Sequence, residues 1–209
     1  MDKRGGTIHS LCDAMRGRLA EQFPAGPKRR ESMTQSRFYV LAGFVLAAAA
    51  MRLMPHPWNF TPVAAMALFA GAQISHRGVA FLLPLAAMLL SDLVIGFHAG
   101  MPFVYGAFAM IVGLGLLLRE RIRPLPLLGA SLTASTVFFV VTNLGVWLVG
   151  GLYPMTGPGL LAAFTAALPF FAHTLAGDLF YAALLFGAFA LLQRSLPMLR
   201  ETAAAGGAG

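Results

Sequence analysis

The sequence predicts an all-α integral membrane protein, with about six transmembrane helices in one bundle. Hydrophobic residues make up 58% of the chain, charged residues make up only 11%, and the mean hydropathy is +0.74. A water-soluble core of 209 residues cannot hide that much apolar surface. Because each spanning helix needs roughly 20 apolar residues, the chain has room for about six helices with short connections.

Apolar segments bounded by proline, glycine or charged residues support this helix count. They are Phe38–Leu53, Thr61–Ile74, Gly78–Phe97, Met101–Leu118, Leu127–Val149 and Pro169–Leu192. The second segment is short, so we expect it to borrow length from its flanks or the bilayer to thin around it. Leu160–Leu168 is apolar but too short to span, and it is interpreted either as a re-entrant lid over the outer mouth or as an ordinary loop.

The polar ends of the chain flank this membrane domain. Residues 1–36 are basic and lack apolar periodicity, which predicts a disordered cytoplasmic tail, with Met33 as an alternative start. The six-helix domain is predicted over residues 37–194, followed by a second cytoplasmic tail over residues 195–209. Cys12 is the only cysteine, so the sequence indicates neither a disulfide framework nor a thiolate metal site.

The positive charges indicate the orientation of the helices. The net charge of +7 does not form a basic patch interleaved with aromatics, which argues against nucleic-acid binding. Basic residues instead occupy alternate loops, on the side of the basic tail, and both termini are therefore predicted to be cytoplasmic. These loop residues are Arg77, Arg119, Arg121, Arg123, Arg194 and Arg200, whereas Arg52 lies alone at the outer end of the first segment.

A signal peptide is the alternative interpretation of the first segment. Arg37 precedes the apolar stretch Phe38–Ala50, which ends in small residues typical of a cleavage site. Cleavage there would leave five helices and place the new N-terminus outside.

Two carboxylates lie inside the predicted spans. An ionised carboxylate in a membrane needs a partner, a water-filled cavity or a proton, since it costs at least about 2.5–3.5 kcal/mol. Counting about 1.5 Å per residue from the segment ends puts Asp92 and Asp178 at comparable depth in the outer half. We therefore expect them to line a cavity that opens outward.

Further polar and aromatic side chains lie toward the same face. Asn143 is predicted to share the cavity, with Asn59, Trp147 and Tyr153 near its mouth, while His173 lies one helical turn before Gly177. The predicted substrate-binding set is therefore Asn59, Asp92, Asn143, Trp147, Tyr153, His173 and Asp178. No close pair of metal ligands occurs, so no metal, no cofactor and no catalytic residue is expected.

Small and hydroxylated residues predict helix contacts. Ser131, Ser135, Thr142 and Thr174 are interpreted mainly as hydrogen-bonding glue between helices. Gly43 and Ala47 form a small-xxx-small pair that lets another helix approach closely, either within the bundle or from a separate subunit.

Several strings resemble an uncharacterised bacterial family of membrane proteins assigned to transport. The resemblance covers about Phe38 to Leu192, and His173 stands where an Asn is expected in relatives. The matching strings are Arg52 to Val63, Ser91 to His98, Met101 to Gly106, Thr142 to Trp147, Tyr153 to Thr156, Leu168 to Phe171 and Gly177 to Phe180.

That family is similar in layout to the S components of energy-coupling-factor vitamin importers, which bind a small molecule from outside. The resemblance implies a bacterial inner-membrane protein that binds a small solute, works as the specificity subunit of an importer and docks a coupling subunit through Gly43 and Ala47. No P-loop occurs, so the energy must come from a partner ATPase or an ion gradient. The alternatives are a non-transporting membrane scaffold and an intramembrane aspartyl protease, for which the Gly-x-Gly-Asp signature is missing.

Overall fold

The computed structural model describes residues 35–54 and 59–199, and all regular structure in these ranges is helical. This confirms the prediction of an all-helical chain for the described residues. The helices are α1 (Gln35–Ala50), α2 (Val63–Gln73), α3 (Arg77–Ile95), α4 (Met101–Leu118), α5 (Pro124–Val149) and α6 (Gly157–Ser195), with short 3₁₀ turns at Met51–Leu53, Arg119–Arg121 and Pro197–Leu199.

All described helices except α2 are long and apolar enough to cross a membrane, when the 3₁₀ turns that extend α1 to Leu53 and α4 to Arg121 are included. A helix of 11 residues extends about 16 Å, roughly half of the hydrocarbon thickness of a bilayer. The expectation that the second segment borrows length from its flanks is wrong, because Thr61 and Pro62 are not helical and α2 ends at Gln73.

The short helix α2 lies at the centre of the bundle. Each of its residues is buried, and it packs against all five other helices. Its sequence is rich in alanine, which lets neighbouring backbones approach. The closest approach is to α4, where a Cβ on Gly115 would lie 2.4 Å from the Leu68 carbonyl oxygen and one on Gly71 would lie 2.2 Å from that of Val112. Only glycine fits at either position.

Aromatic rings join α1, α2 and α6 on another side of the centre. Phe69 of α2 makes edge-to-face contacts with Phe186 and Phe189, with ring centroids 5.2 and 5.7 Å apart, and stacks on Phe44 of α1 at 5.6 Å. Such pairs contribute about 0.5–1.5 kcal/mol each beyond their buried area.

The last helix, α6, is the longest, with 39 residues and Pro169 in its interior. Leu160–Leu168 forms its first turns and is neither a separate re-entrant lid nor a loop. At about 58 Å, α6 exceeds the thickness of a bilayer core.

A few residues of each predicted tail lie within the described ranges. The structure describes residues 35 and 36 as the start of α1, and residues 1–34 lie outside the described ranges, as do residues 200–209. Leu199 is buried, and its carbonyl oxygen accepts a hydrogen bond from Arg37 at 3.1 Å. Residues 195–199 therefore pack against the start of α1.

Candidate functional site: two buried carboxylates

Asp92 lies near the C-terminal end of α3 and is 3% exposed. Its Oδ1 forms an ion pair with Arg52 at 2.9 Å, and its Oδ2 accepts a hydrogen bond from the Tyr105 hydroxyl at 2.8 Å. Arg52 also donates to Ser91 Oγ at 2.5 Å. The network thus ties the end of α1 to α3 and to the first turn of α4, and a full positive charge meets the carboxylate.

Asp178 lies in α6, is 2% exposed and has a different set of partners. The Ser135 hydroxyl of α5 donates to its Oδ2 at 2.7 Å. The backbone N–H groups of Ala64 and Ala65, in the first turn of α2, face this carboxylate. A helix leaves these donors unsatisfied at its N-terminus, so Asp178 places a carboxylate beside the start of α2 from another helix.

Gly177 allows this approach. A Cβ at Gly177 would lie 3.1 Å from the Phe60 Cα and 3.2 Å from the Thr61 nitrogen, which is tighter than ordinary packing. The backbone that leads into α2 therefore runs directly over the glycine, which brings the α2 N-terminus within reach of the neighbouring Asp178.

The opposite end of α2 is closed by arginines. Arg119 donates to the carbonyl oxygens of Gly71, Ile74 and Ser75, and Arg37 donates to that of Gln73 at 3.2 Å. Cations at a helix C-terminus and an anion at its N-terminus both complement the helix dipole. A buried helix end needs such partners, because the backbone groups of its last turn have none within the helix.

The two acids lie at different positions along their helices. Asp178 lies 21 residues from Gly157 and 17 residues from Ser195, the two ends of α6, and is therefore near the middle of that helix. Asp92 lies three residues from the end of α3 at Ile95. The predicted depth was counted from Pro169, and α6 starts 12 residues earlier.

Of the other predicted site residues, three make hydrogen bonds to residues nearby in sequence, and no side-chain hydrogen bond is described for the remaining two. The Asn143 side chain donates to the Phe139 carbonyl oxygen at 2.8 Å, and Trp147 Nε1 donates to that of Pro154 at 2.9 Å. His173 is exposed, with Nδ1 3.2 Å from the Pro169 carbonyl oxygen. Tyr153 is half-buried, while Asn59 is exposed with a left-handed backbone, φ 60°.

The hydroxyl residues divide into two groups. The Ser135 hydroxyl lies 2.7 Å from Asp178 Oδ2 in another helix, as predicted, and 3.0 Å from the Ser131 carbonyl oxygen in its own helix. Thr142 and Thr174 donate only to the carbonyl oxygen four residues earlier in their own helices. Interhelical glue is therefore wrong for these two threonines. The Ser131 hydroxyl, one turn before Ser135, is buried with no hydrogen-bond partner in the described structure.

A cavity of about 700 Å³ lies between α1 and α6 as an open apolar groove. Gly43 and Ala47 are in its lining, and a Cβ on Gly43 would meet nothing within 4 Å. The small-residue face of α1 therefore borders open space in the described bundle and does not pack on another of its helices. None of the seven predicted substrate-binding residues lines this groove.

Two partners of the carboxylates were missed as site residues, and each left a signal in the sequence. Arg52 alone lay at an outer segment end, whereas the other basic residues lay on the cytoplasmic side. Such an exception indicates a buried counter-charge. Tyr105 lies within Met101 to Gly106, one of the strings that carry the family resemblance. Among the described residues, no group of three His, Cys, Asp or Glu side chains is placed to hold a metal ion.

Comparison with curated proteins and with solved structures finds no match to this chain. A family model does match, over residues 32–199, and it spans every helix described above. The model is that of DUF6580, described as a family of unknown function. This chain belongs to the DUF6580 family.

Proposed function

We propose that this chain is a six-span protein of the bacterial inner membrane that binds a small solute from the outer side, as the specificity subunit of an importer. The observation that carries the proposal is the N-terminus of α2, which is buried in the bundle and faces Asp178. Membrane helices that stop inside the bilayer are typical of transporters, where their ends bind solutes and ions.

The surroundings of Asp178 have the chemistry of a small polar site. The carboxylate accepts a hydrogen bond from a hydroxyl and faces two backbone amides, and no described ion pair involves it. The Ser131 hydroxyl lies one turn from Ser135 and has hydrogen-bonding capacity to spare. A solute that brings donors of its own would complete this network, because buried polar groups in low dielectric gain from each bond they make.

The apolar groove between α1 and α6 supports the proposal that this chain is a subunit of an importer. The small residues Gly43 and Ala47 let a helix of another subunit approach the α1 backbone closely. A coupling subunit that carries an ATPase would supply the energy, since this sequence has no P-loop.

The membrane orientation is a separate part of the proposal. The starts of α1 and α3 and the ends of α4 and α6 carry the arginines and would face the cytoplasm. Reporter fusions at Met33, Arg121 and Arg200 should all read as cytoplasmic. A periplasmic signal at Arg121 would reject the six-span topology.

The test of solute binding compares two hydroxyl deletions on one helix. Ser131→Ala removes a buried hydroxyl without breaking a described hydrogen bond, and Thr136→Ala removes an exposed one that bonds only within α5. Small molecules retained by the purified wild-type protein would be identified by mass spectrometry, and binding then measured with the pure compound. We expect Ser131→Ala to weaken binding about tenfold and Thr136→Ala to leave it unchanged. Equal binding by both variants, or no retained solute, would contradict the proposal.

A scaffold without ligand is the second candidate, and one observation favours it. Both acids have several partners within the bundle, as purely structural acids do. Asp178→Asn separates the two functions, because it leaves the Asp92–Arg52 ion pair intact: a scaffold keeps its cellular role, whereas an importer loses solute uptake.

A further inference from the structure

The buried Ser135 hydroxyl lies between two oxygen acceptors. Its Oγ is 2.7 Å from Asp178 Oδ2 and 3.0 Å from the Ser131 carbonyl oxygen. A serine hydroxyl carries one proton and two lone pairs, so it fully donates to only one of these oxygens at a time. When Asp178 is ionised, the proton points at the carboxylate, because two oxygens this close would repel each other without a proton between them.

The same oxygen positions also fit a protonated Asp178. The carboxyl O–H then donates to Ser135 Oγ, and the Ser135 hydroxyl turns about its Cβ–Oγ bond to donate to the Ser131 carbonyl oxygen. A separation of 2.7 Å is typical of an O–H···O hydrogen bond in either direction. The network therefore keeps its hydrogen bonds in both protonation states, and no heavy atom has to move.

Asp92 has no comparable arrangement. Its Oδ1 lies 2.9 Å from an Arg52 nitrogen, and a guanidinium group donates hydrogen bonds but accepts none. A proton on Oδ1 would face another donor, and the charge of Arg52 would lose its counter-charge in a largely buried position. Asp178 can take up a proton without either cost.

Few ionisable side chains lie near the Asp178 network. Neither α2 nor α5, the two helices that pack on this part of α6, contains one. In α6 itself, Tyr181 lies one turn after the carboxylate and packs on the Phe60 ring, while His173 is exposed. The ionisable residues of α1 are Arg37, which donates to a carbonyl oxygen at the opposite end of α2, and the exposed Tyr39. Among the described residues, a change of charge in this network is therefore that of the carboxyl group itself.

We propose that Asp178 is a reversible proton-binding site and that Ser135 is the positioning residue that holds its carboxyl group in both states. A proton from water forms an O–H bond with Oδ2, the oxygen supplies the electron pair, and Ser135 keeps its own proton throughout. Carboxyl groups inside membrane spans serve as proton relays in pumps and transporters. The site gives the bundle a way to respond to a proton gradient, and it does not depend on the solute proposed above.

Infrared difference spectroscopy of the full chain in detergent micelles tests this proposal, since a protonated carboxyl group has a carbonyl stretch that a carboxylate lacks. No solute is added, so the result is independent of the proposed function. Spectra would be recorded between about pH 6 and about pH 9, where exposed Asp and Glu side chains are already ionised. We expect the wild-type protein to show the band of one carboxyl group per chain at the lower pH and to lose it as the pH rises.

Two pairs of variants assign the band. Asp178→Asn should abolish it, whereas the double variant Asp92→Asn with Arg52→Gln should retain it. Ser135→Ala removes the acceptor of the carboxyl proton and should shift the frequency of the band. Thr136→Ala is the matched control, because its hydroxyl donates to the Leu132 carbonyl oxygen within α5, and it should leave the frequency unchanged.

Several results would overturn the proposal. One is a wild-type protein without the band over the whole pH range, and another is a band that does not change with pH. A band that survives in Asp178→Asn would assign the proton to another group. If that variant fails to fold, equal band frequencies in Ser135→Ala and Thr136→Ala would reject the proposed role of Asp178 and Ser135.

Discussion

Asp92 and Asp178 are almost equally buried, yet the bundle meets their charges in different ways. Asp92 has a full positive charge beside it in Arg52 and a phenol hydroxyl on its other oxygen. Asp178 has only dipoles, from Ser135 and from the first turn of α2. An ion pair is a closed unit with no net charge, whereas a carboxylate held by dipoles still attracts a donor or a cation. We therefore propose a structural role for Asp92 and a solute-binding role for Asp178.

The largest effect is expected when the ion pair loses one member. Asp92→Asn leaves the Arg52 guanidinium without its counter-charge in a largely buried position, which should lower the free energy of unfolding by about 3–5 kcal/mol. Thermal unfolding in detergent would measure the loss. The double variant Asp92→Asn with Arg52→Gln has no isolated charge and should recover much of the stability. A double variant as unstable as the sum of the two single variants would show that the pair is not a coupled unit.

The next effect concerns the close contact beside Asp178. Gly177→Ala places a Cβ against the backbone of Phe60 and Thr61, which should cost about 1–3 kcal/mol of unfolding free energy. Gly187→Ala is the matched control in the same helix, because its Cβ would meet nothing within 4 Å. The control should be neutral or slightly stabilising, since alanine favours a helix over glycine. Equal stability of the two variants would argue against the described approach of α6 to α2.

A smaller effect is expected at Asp178 itself. Asp178→Asn keeps the side-chain shape and one carbonyl oxygen but loses the charge that complements the α2 dipole, at a cost of about 1–2 kcal/mol. The same unfolding assay should therefore rank this variant well above Asp92→Asn in stability. The reverse order would mean that Asp178, and not Asp92, is the main structural acid.

The smallest effect should follow from Tyr105→Phe. It removes one hydrogen bond to Asp92 and leaves the ion pair with Arg52 in place, so we expect a loss of about 0.5–1.5 kcal/mol. Tyr39→Phe, at an exposed position of α1, is the control and should have no effect on unfolding. A loss of several kcal/mol for Tyr105→Phe would mean that the phenol contributes more to the free energy of unfolding than its single hydrogen bond indicates.

The pattern of apolar segments predicted the helices well, because the length and hydropathy of a membrane helix are local properties. Met101–Leu118 has the bounds that the sequence predicted. The pattern could not show that Val63–Gln73 would stay short and central, since that depends on glycines in two different helices. It also misplaced the start of α6, because Pro169 was interpreted as a boundary and is accommodated inside the helix.

The site was predictable only in part for a related reason. Their position inside apolar segments identified Asp92 and Asp178 as unusual, because few carboxylates occur there. Their partners are distant in sequence: Arg52 lies 40 residues before Asp92, and Ser135 lies 43 residues before Asp178. Asn143, Trp147 and His173 were grouped with the acids by depth, yet their described hydrogen bonds are to residues nearby in sequence.

Side-specific labelling of a cysteine at position 131 tests most directly whether the Asp178 network is open to a solute from outside. The Cys12→Ser background would carry Ser131→Cys or, as the lipid-facing control, Thr136→Cys, and intact cells would be treated with a small membrane-impermeant thiol reagent. We predict that position 131 is labelled from the outside and is protected by bound solute, whereas position 136 is not labelled. Labelling of position 131 only from the cytoplasmic side, or in no state, would contradict an outward-facing site at Asp178.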